Sequence, residues 1–278
     1  MKFLSRLLLL IIIFTFNACS KDGKDTSLLQ ENNQVDEMIS AYKEGVATLK
    51  EGDAFAAAKF FLEAEMVYPQ SDWAPKSALM AAYSYYLQDY YFEAMNNLER
   101  FIETYPKDIR ISYAHYLLAM CYYEKIDGEK KDLQSLLKAK KQFNIVINNY
   151  PNTDLALDSK FKIYLLNDIL AAKEMYIGRH YIKKEKWIAA INRFKIVLED
   201  YETTIFSEEA IHRLVEIHYK IGLENEAKKY AQTLGYNYET SKWYKESYRI
   251  FNKDYKEIKN SKEEKKKRNL ADKIRSFF

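Results

Sequence analysis

The apolar positions of this chain follow a helical period that is broken at regular points by Tyr68-Pro69, Tyr105-Pro106 and Tyr150-Pro151, with Tyr201-Glu202 as a degenerate fourth. Each pair closes a helix, because proline cannot continue one beyond its first turn. Twelve residues before the second member of each pair stand Ala57, Ala94, Ala139 and Ala190; eight residues before it stand Phe61, Leu98, Phe143 and Phe194. A small position lets two helices approach, and a large one fills the space between them, so this alternation predicts helical hairpins. A second small series comprises Gly45, Ala82, Ala119, Gly178 and Val215; it steps by 37 from Gly45 to Ala82 to Ala119, and again by 37 from Gly178 to Val215. The gap from Ala119 to Gly178 is 59 residues. Its excess resolves into an insertion around Asp127 to Lys131 and another between Pro151 and Ala171. The stretch from Thr153 to Leu170 has no Gly or Pro and carries apolar Leu155, Phe161, Leu165 and Ile169, which predicts one long helix capped near Thr153 or Asp154.

This spacing of small residues resembles the tetratricopeptide repeat, whose unit is two antiparallel helices. Gly52-Asp53 at the turn of the first unit fits that consensus. The expected fold is all-α, a superhelical α-solenoid of about five tetratricopeptide-like hairpins. In such an array the first helix of each unit lines a concave face, which places Tyr42, Val46 and Leu49, then Leu79, Tyr83 and Tyr86, then Tyr116, Met120 and Tyr123 toward a groove. Tyrosine offers a broad apolar face with a polar tip, which suits an extended peptide better than a small polar metabolite. The same tyrosines could instead pack between units and hydrogen-bond internally.

Composition narrows the class. Only 7 Gly and 4 Pro in 278 residues leave little turn chemistry for an all-β or Gly-loop fold, whereas tyrosine reaches 24. Residues 253–278 hold ten Lys or Arg against five Asp or Glu, while the whole chain is only +3. The body is therefore slightly acidic with a basic tail, unlike a nucleic-acid-binding protein. The tail's charged Lys262 to Arg268 run is followed by Leu270, Ile274 and Phe277 at helical spacing. It reads as a basic linker ending in a short amphipathic helix, suited to an acidic partner or an anionic membrane.

Residues 1–18 are built like a secretory signal, with Lys2 and Arg6, a ten-residue apolar run from Leu7 to Phe16, and Ala18 at the cut. The run is too short to cross a hydrocarbon core, which takes about 20 residues. Cys19 follows directly. A cysteine at the cleavage point resembles the lipobox of bacterial lipoproteins, although Phe16 and Asn17 depart from its usual upstream residues, and implies an acylated thiol as membrane anchor. Cys121 is then the only other cysteine, so no intrachain disulfide forms, and it reads as a buried small hydrophobe.

Catalytic signals are weak. His115, His180, His212 and His218 are scattered, and HExxH, GxSxG and P-loop motifs are missing, so neither an enzyme nor a cofactor or metal site is expected. A peptidoglycan hydrolase would need a further catalytic domain for which no length remains.

Three runs are more specific: LAAKEMYIGRHYIKK at 170–184, WIAAINRF at 187–194 and LGYNYETSKWYKESY at 234–248. They resemble the BamD family of lipoproteins from the outer-membrane β-barrel assembly machinery, over residues 38–251. The lengthened turn near Asp127, Glu202 in place of Pro and the charged tail depart from it. The resemblance implies a lipid-anchored adaptor on the periplasmic face of the outer membrane. It would bind the last POTRA domain of the insertase BamA through its C-terminal repeats and unfolded barrel precursors through its N-terminal ones, alongside other lipoproteins of the complex. It also assigns Arg193 to the insertase contact. The expected organisation is a signal at 1–18, a lipidated linker at 19–37, repeats one to three with the precursor groove at 38–151, the long helix with repeats four and five at 152–251, and the basic tail at 252–278. The other reading is a repeat lipoprotein of pilotin type, serving a secretin or the cell wall.

Overall fold

The computed structural model describes residues 23–128 and 133–252, with side chains from residue 33 onward. Cys19, the signal, most of the Asp127 insertion and the basic tail lie outside the described residues. Eleven helices and no strand occur among the described residues: α1 Gly23–Glu51, α2 Ala54–Val67, α3 Trp73–Leu87, α4 Tyr91–Thr104, α5 Ile111–Glu124, α6 Gln134–Asn149, α7 Asp154–Lys183, α8 Trp187–Asp200, α9 Ser207–Lys220, α10 Glu224–Asn237 and α11 Lys242–Phe251. The helices form two compact units divided between Glu124 and Lys125, so the two helices of the third repeat belong to different units. Within each unit, helices pack chiefly on their neighbours in the chain, as short connections require.

The period of the sequence reappears in the backbone. Gly52, Asp89, Glu185 and Gly222 all take positive φ, at 93°, 61°, 55° and 85°, and each sits in the turn between the two helices of a repeat. Asp53 then caps α2, its Oδ1 accepting from Ala56 N at 2.9 Å. Second helices end at Tyr68, Tyr105, Tyr150 and Tyr201, where the sequence placed its stops; Tyr238 ends α10 in the same way.

The small and large series form the cores. Ala57, Ala94, Ala139, Ala190, Phe61, Leu98, Phe143 and Phe194 are all fully buried. The glycines show why size matters: a Cβ on Gly45 would lie 2.9 Å from the Phe61 ring, and one on Gly178 would lie 2.6 Å from that of Phe194. Between hairpins of the first unit, Glu65 of α2 accepts two hydrogen bonds from the Arg100 guanidinium of α4, both 2.7 Å, and one from Tyr105 Oη at 2.8 Å. Glu65 is buried, and these three donors satisfy its carboxylate.

Of the segment expected as a linker, the part from Gly23 is helical: α1 begins there, upstream of Met38. Residues between them lack proline, and extending an established helix costs little compared with nucleating one. In α7 the single long helix forms as expected, with Thr153 Oγ1 accepting from Ala156 N at 3.2 Å. Its core face, however, is Ala156, Ser159, Leu166 and Leu170, and two residues that signalled the helix, Phe161 and Leu165, face outward.

At the C-terminal end of the second unit, α11 packs against α9 and α10. His212 of α9 is buried, with Nδ1 2.8 Å from Ser247 Oγ and its ring 5.0 Å from that of Trp243. Its Nε2 lies 3.4 Å from Glu216, which also accepts from Arg213 Nη1 at 2.6 Å. Burial opposes ionisation of Glu216, but the bonds from His212 and Arg213 outweigh it and hold the carboxyl below its ordinary value of 4.5. A depressed carboxyl contributes stability that is fully present above that ordinary value and lost as the pH falls through the lower, folded one. Protection factors of the α11 amides, corrected for the intrinsic exchange rate at each pH, are therefore expected to fall as the pH drops through the depressed Glu216 value below 4.5 in the wild type, and to lose this dependence in Glu216→Gln.

Candidate functional site

In the first unit, α3 and the start of α5 enclose an open apolar cleft of about 260 Å³ lined by Lys76, Leu79, Met80, Tyr83, Arg110 and Tyr113. Leu79 is buried and lies in its lining, while Tyr83 is half-buried. Tyr113 stacks on Tyr116 with centroids 6.5 Å apart and planes at 25°. Burial pushes the Tyr113 phenol up to about 12, and the neighbouring phenols of Tyr83 and Tyr86 add to the shift. Tyr86 is raised by burial first and then by the charge of Glu124, and its ring lies 5.8 Å from Tyr91. The Tyr113 and Tyr86 phenols therefore stay neutral donors at physiological pH.

Two cations edge the cleft. Lys76 Nζ sits 4.3 Å from the Trp73 ring and 5.0 Å from that of Tyr42. Arg110 donates from Nε and Nη2 to the two oxygens of Asp108, both at 2.7 Å, and so holds that carboxyl below its usual range despite partial burial. An apolar, aromatic cleft with neutral hydroxyls and cations at its edge is chemically matched to an aromatic side chain beside a peptide carbonyl or carboxylate.

Of the expected groove residues, Leu79 and Tyr83 share this cleft, Tyr86 lies electrostatically close to Tyr83, and Tyr116 joins through its stack on Tyr113. Tyr42 departs: its ring packs edge-on against Phe61 at 5.2 Å and Trp73 at 5.0 Å, the internal role left open for it. Tyr123 is half-buried near the end of α5 and is absent from the cleft lining. Sequence reading missed Lys76, Met80, Arg110 and Tyr113. Tyr113 was within reach, since it stands one turn before Tyr116 on the same helix face.

In the second unit, Arg193 of α8 donates from Nη1 to Glu174 of α7 at 3.0 Å. Its neighbour Phe194 fills the hairpin core, and Arg193 itself lies along the flank, 37% exposed and tied to the paired helix. A larger feature went unread. Leu157, Phe161, Tyr164 and Leu165 form an exposed stripe on the N-terminal half of α7. Their spacing places them on one helix face, and such a stripe marks a protein-contact surface more often than chance exposure does.

Cys121 is fully buried, and burial pushes its thiol up to about 12, as suits a packing residue. His218 is buried with Nδ1 2.7 Å from Leu214 O. Among the described residues, no group of three or more His, Cys, Asp or Glu gathers as a metal site, and no helix is long and apolar enough to cross a membrane.

The family model described as "Outer membrane lipoprotein", YfiO, matches residues 34–234. The outer membrane protein assembly factor BamD of Rickettsia prowazekii is 43% identical over 242 residues, covering 87% of this chain and 94% of the relative. That of Caulobacter vibrioides is 39% identical over 234 residues, covering 84% and 76%. Among solved structures, a thermophilic TPR protein of Thermus thermophilus aligns over 77% of this chain and 98% of its own, at 16% identity and a TM-score of 0.34. The TPR2AB domain of yeast Sti1 aligns over 71% and 76%, at 14% identity and a TM-score of 0.41. With the family model spanning both compact units and the Rickettsia relative matched over nearly all of its length, this chain belongs to the BamD family.

Proposed function

We propose that this chain is a non-catalytic assembly factor of the outer membrane, held at the periplasmic face by a lipid on Cys19. Its first unit takes unfolded β-barrel precursors, and its second unit, through the α8 flank bearing Arg193, binds the periplasmic domain of BamA nearest the barrel. The relatives' shared designation as outer membrane protein assembly factors supports the general role. The observation that carries the finer reading is the aromatic cleft of Tyr83 and Tyr113, edged by Lys76 and Arg110. A barrel strand alternates apolar and polar residues and, when extended, offers aromatic side chains with backbone carbonyls between them. Tyrosine walls take the rings, while phenols and cations answer the carbonyls. A pilotin-type role would leave the family relationship without a purpose.

The test is direct titration with labelled peptides copied from terminal strands of barrel proteins. Replacing Tyr83 and Tyr113 by Ala is expected to weaken binding roughly 10- to 100-fold, the scale of aromatic hot spots. Helicity should be unchanged, since both side chains contribute to the cleft wall. Unaltered affinity in the folded double variant would place the precursor site elsewhere.

A further inference from the structure

After the five hairpins, α11 packs on α9 and α10 and ends at Phe251, one residue before the described chain stops. Its exposed side forms an open groove with α10 of about 490 Å³, lined by Ala231, Gly235, Tyr236, Tyr244, Tyr248 and Phe251 among others. Gly235 shapes it: a Cβ there would lie 2.8 Å from the Tyr244 ring, so a larger residue would push that ring aside from its place across α10. Tyr244 and Tyr248 stand 6.3 Å apart along α11, and Tyr236 is 92% exposed. A terminal repeat normally turns a polar face outward, and here the face is aromatic.

The chain carries an occupant of matching chemistry. Leu270, Ala271, Ile274, Phe277 and Phe278 recur at the spacing of one helix face, with Asp272, Lys273 and Arg275 between them. We propose that residues 270–278 seat their apolar face in the α10–α11 groove and complete the last repeat as an intramolecular cap. Asn252, from which the intervening segment departs, is itself part of the groove lining. The 17 residues 253–269 reach up to about 55 Å at about 3.3 Å per residue, ample to return the segment to a groove that adjoins Asn252. Tethering through them makes the contact intramolecular, so weak apolar contacts suffice to seat it. The contact is apolar, which separates it from attraction of the basic run to an acidic surface, a contact that salt would screen.

The experiment uses the purified chain of residues 20–278 carrying Tyr236→Cys and Phe277→Cys; Cys121 stays, being fully buried. Under mild oxidation the pair is expected to form an intramolecular disulfide whose yield is independent of protein concentration and unchanged by 0.5 M salt. Adding Ile274→Asp should abolish it. In parallel, deleting residues 269–278 from the otherwise wild-type chain should speed amide exchange in α10 and α11 roughly tenfold, about the loss of one partly buried apolar side chain. A crosslink found only between two chains would overturn the cap in favour of a second copy. Exchange that is identical with and without the segment, or protection that appears only with anionic vesicles at low salt, would also overturn it.

Discussion

Truncating Phe194 to Ala is expected to destabilise the second unit by about 3–5 kcal/mol, the range for emptying a core of a phenylalanine ring. The ring is fully buried and lies over Gly178, where even a methyl group would approach it to 2.6 Å. The cavity therefore opens at the seam between α7 and α8, where two helices touch and little else can move in. Against a total stability of about 5–15 kcal/mol for a typical domain, such a loss leaves the unit near its folding threshold. Urea denaturation followed by circular dichroism measures it. A shift below about 1 kcal/mol would mean that the hairpin closes without this ring and that the small–large pairing is incidental.

Replacing Cys19 by Ala is expected to move nearly all of the protein from the membrane fraction to the soluble periplasmic fraction. One acyl chain gives marginal, reversible binding, whereas two or more anchor stably, so under the proposed lipidation of Cys19 this substitution removes the whole attachment. Among the described residues, no helix offers a substitute span. Fractionation should be done in cells depleted of the insertase, so that protein contacts do not retain the variant. Membrane retention there would refute the lipobox reading.

Much of the fold was legible because the repeat is written in residue size. Gly45, Gly178 and the alanines can occupy their positions only where helices nearly touch, and Phe61, Phe143 and Phe194 only where a gap must be filled. Spacing alone therefore located the hairpins. The orientation of α7 was not legible, because its insertion is apolar on two faces: Leu166 and Leu170 are buried, while Phe161 and Leu165 face solvent. Periodicity reports that a stripe exists and is silent on which stripe the core receives. The cleft was read in part, since Tyr83 followed from repeat geometry. Lys76 and Arg110 are single cations among apolar neighbours, and their place at the cleft edge depends on packing between α3 and α5. Tyr42 misled for a related reason. Its position faces a groove in a generic repeat, but Trp73 and Lys76 cover it here.

The adaptor reading is tested most directly by purification from detergent-solubilised envelopes, comparing three versions of the chain. The wild type is expected to recover a large barrel protein with periplasmic domains, and Arg193→Glu to lose it. Because Arg193 is bonded to Glu174, the reversal also sets two carboxylates against each other, so the third version carries both Arg193→Glu and Glu174→Arg. That swap rebuilds the ion pair on the flank of the hairpin while leaving the wrong charge for a partner carboxylate. It should melt like the wild type and still fail to recover the insertase. Recovery by the swapped version would show that Arg193 acts only through Glu174, and recovery of a secretin or cell-wall protein in place of the barrel insertase by the wild type would contradict the adaptor function itself.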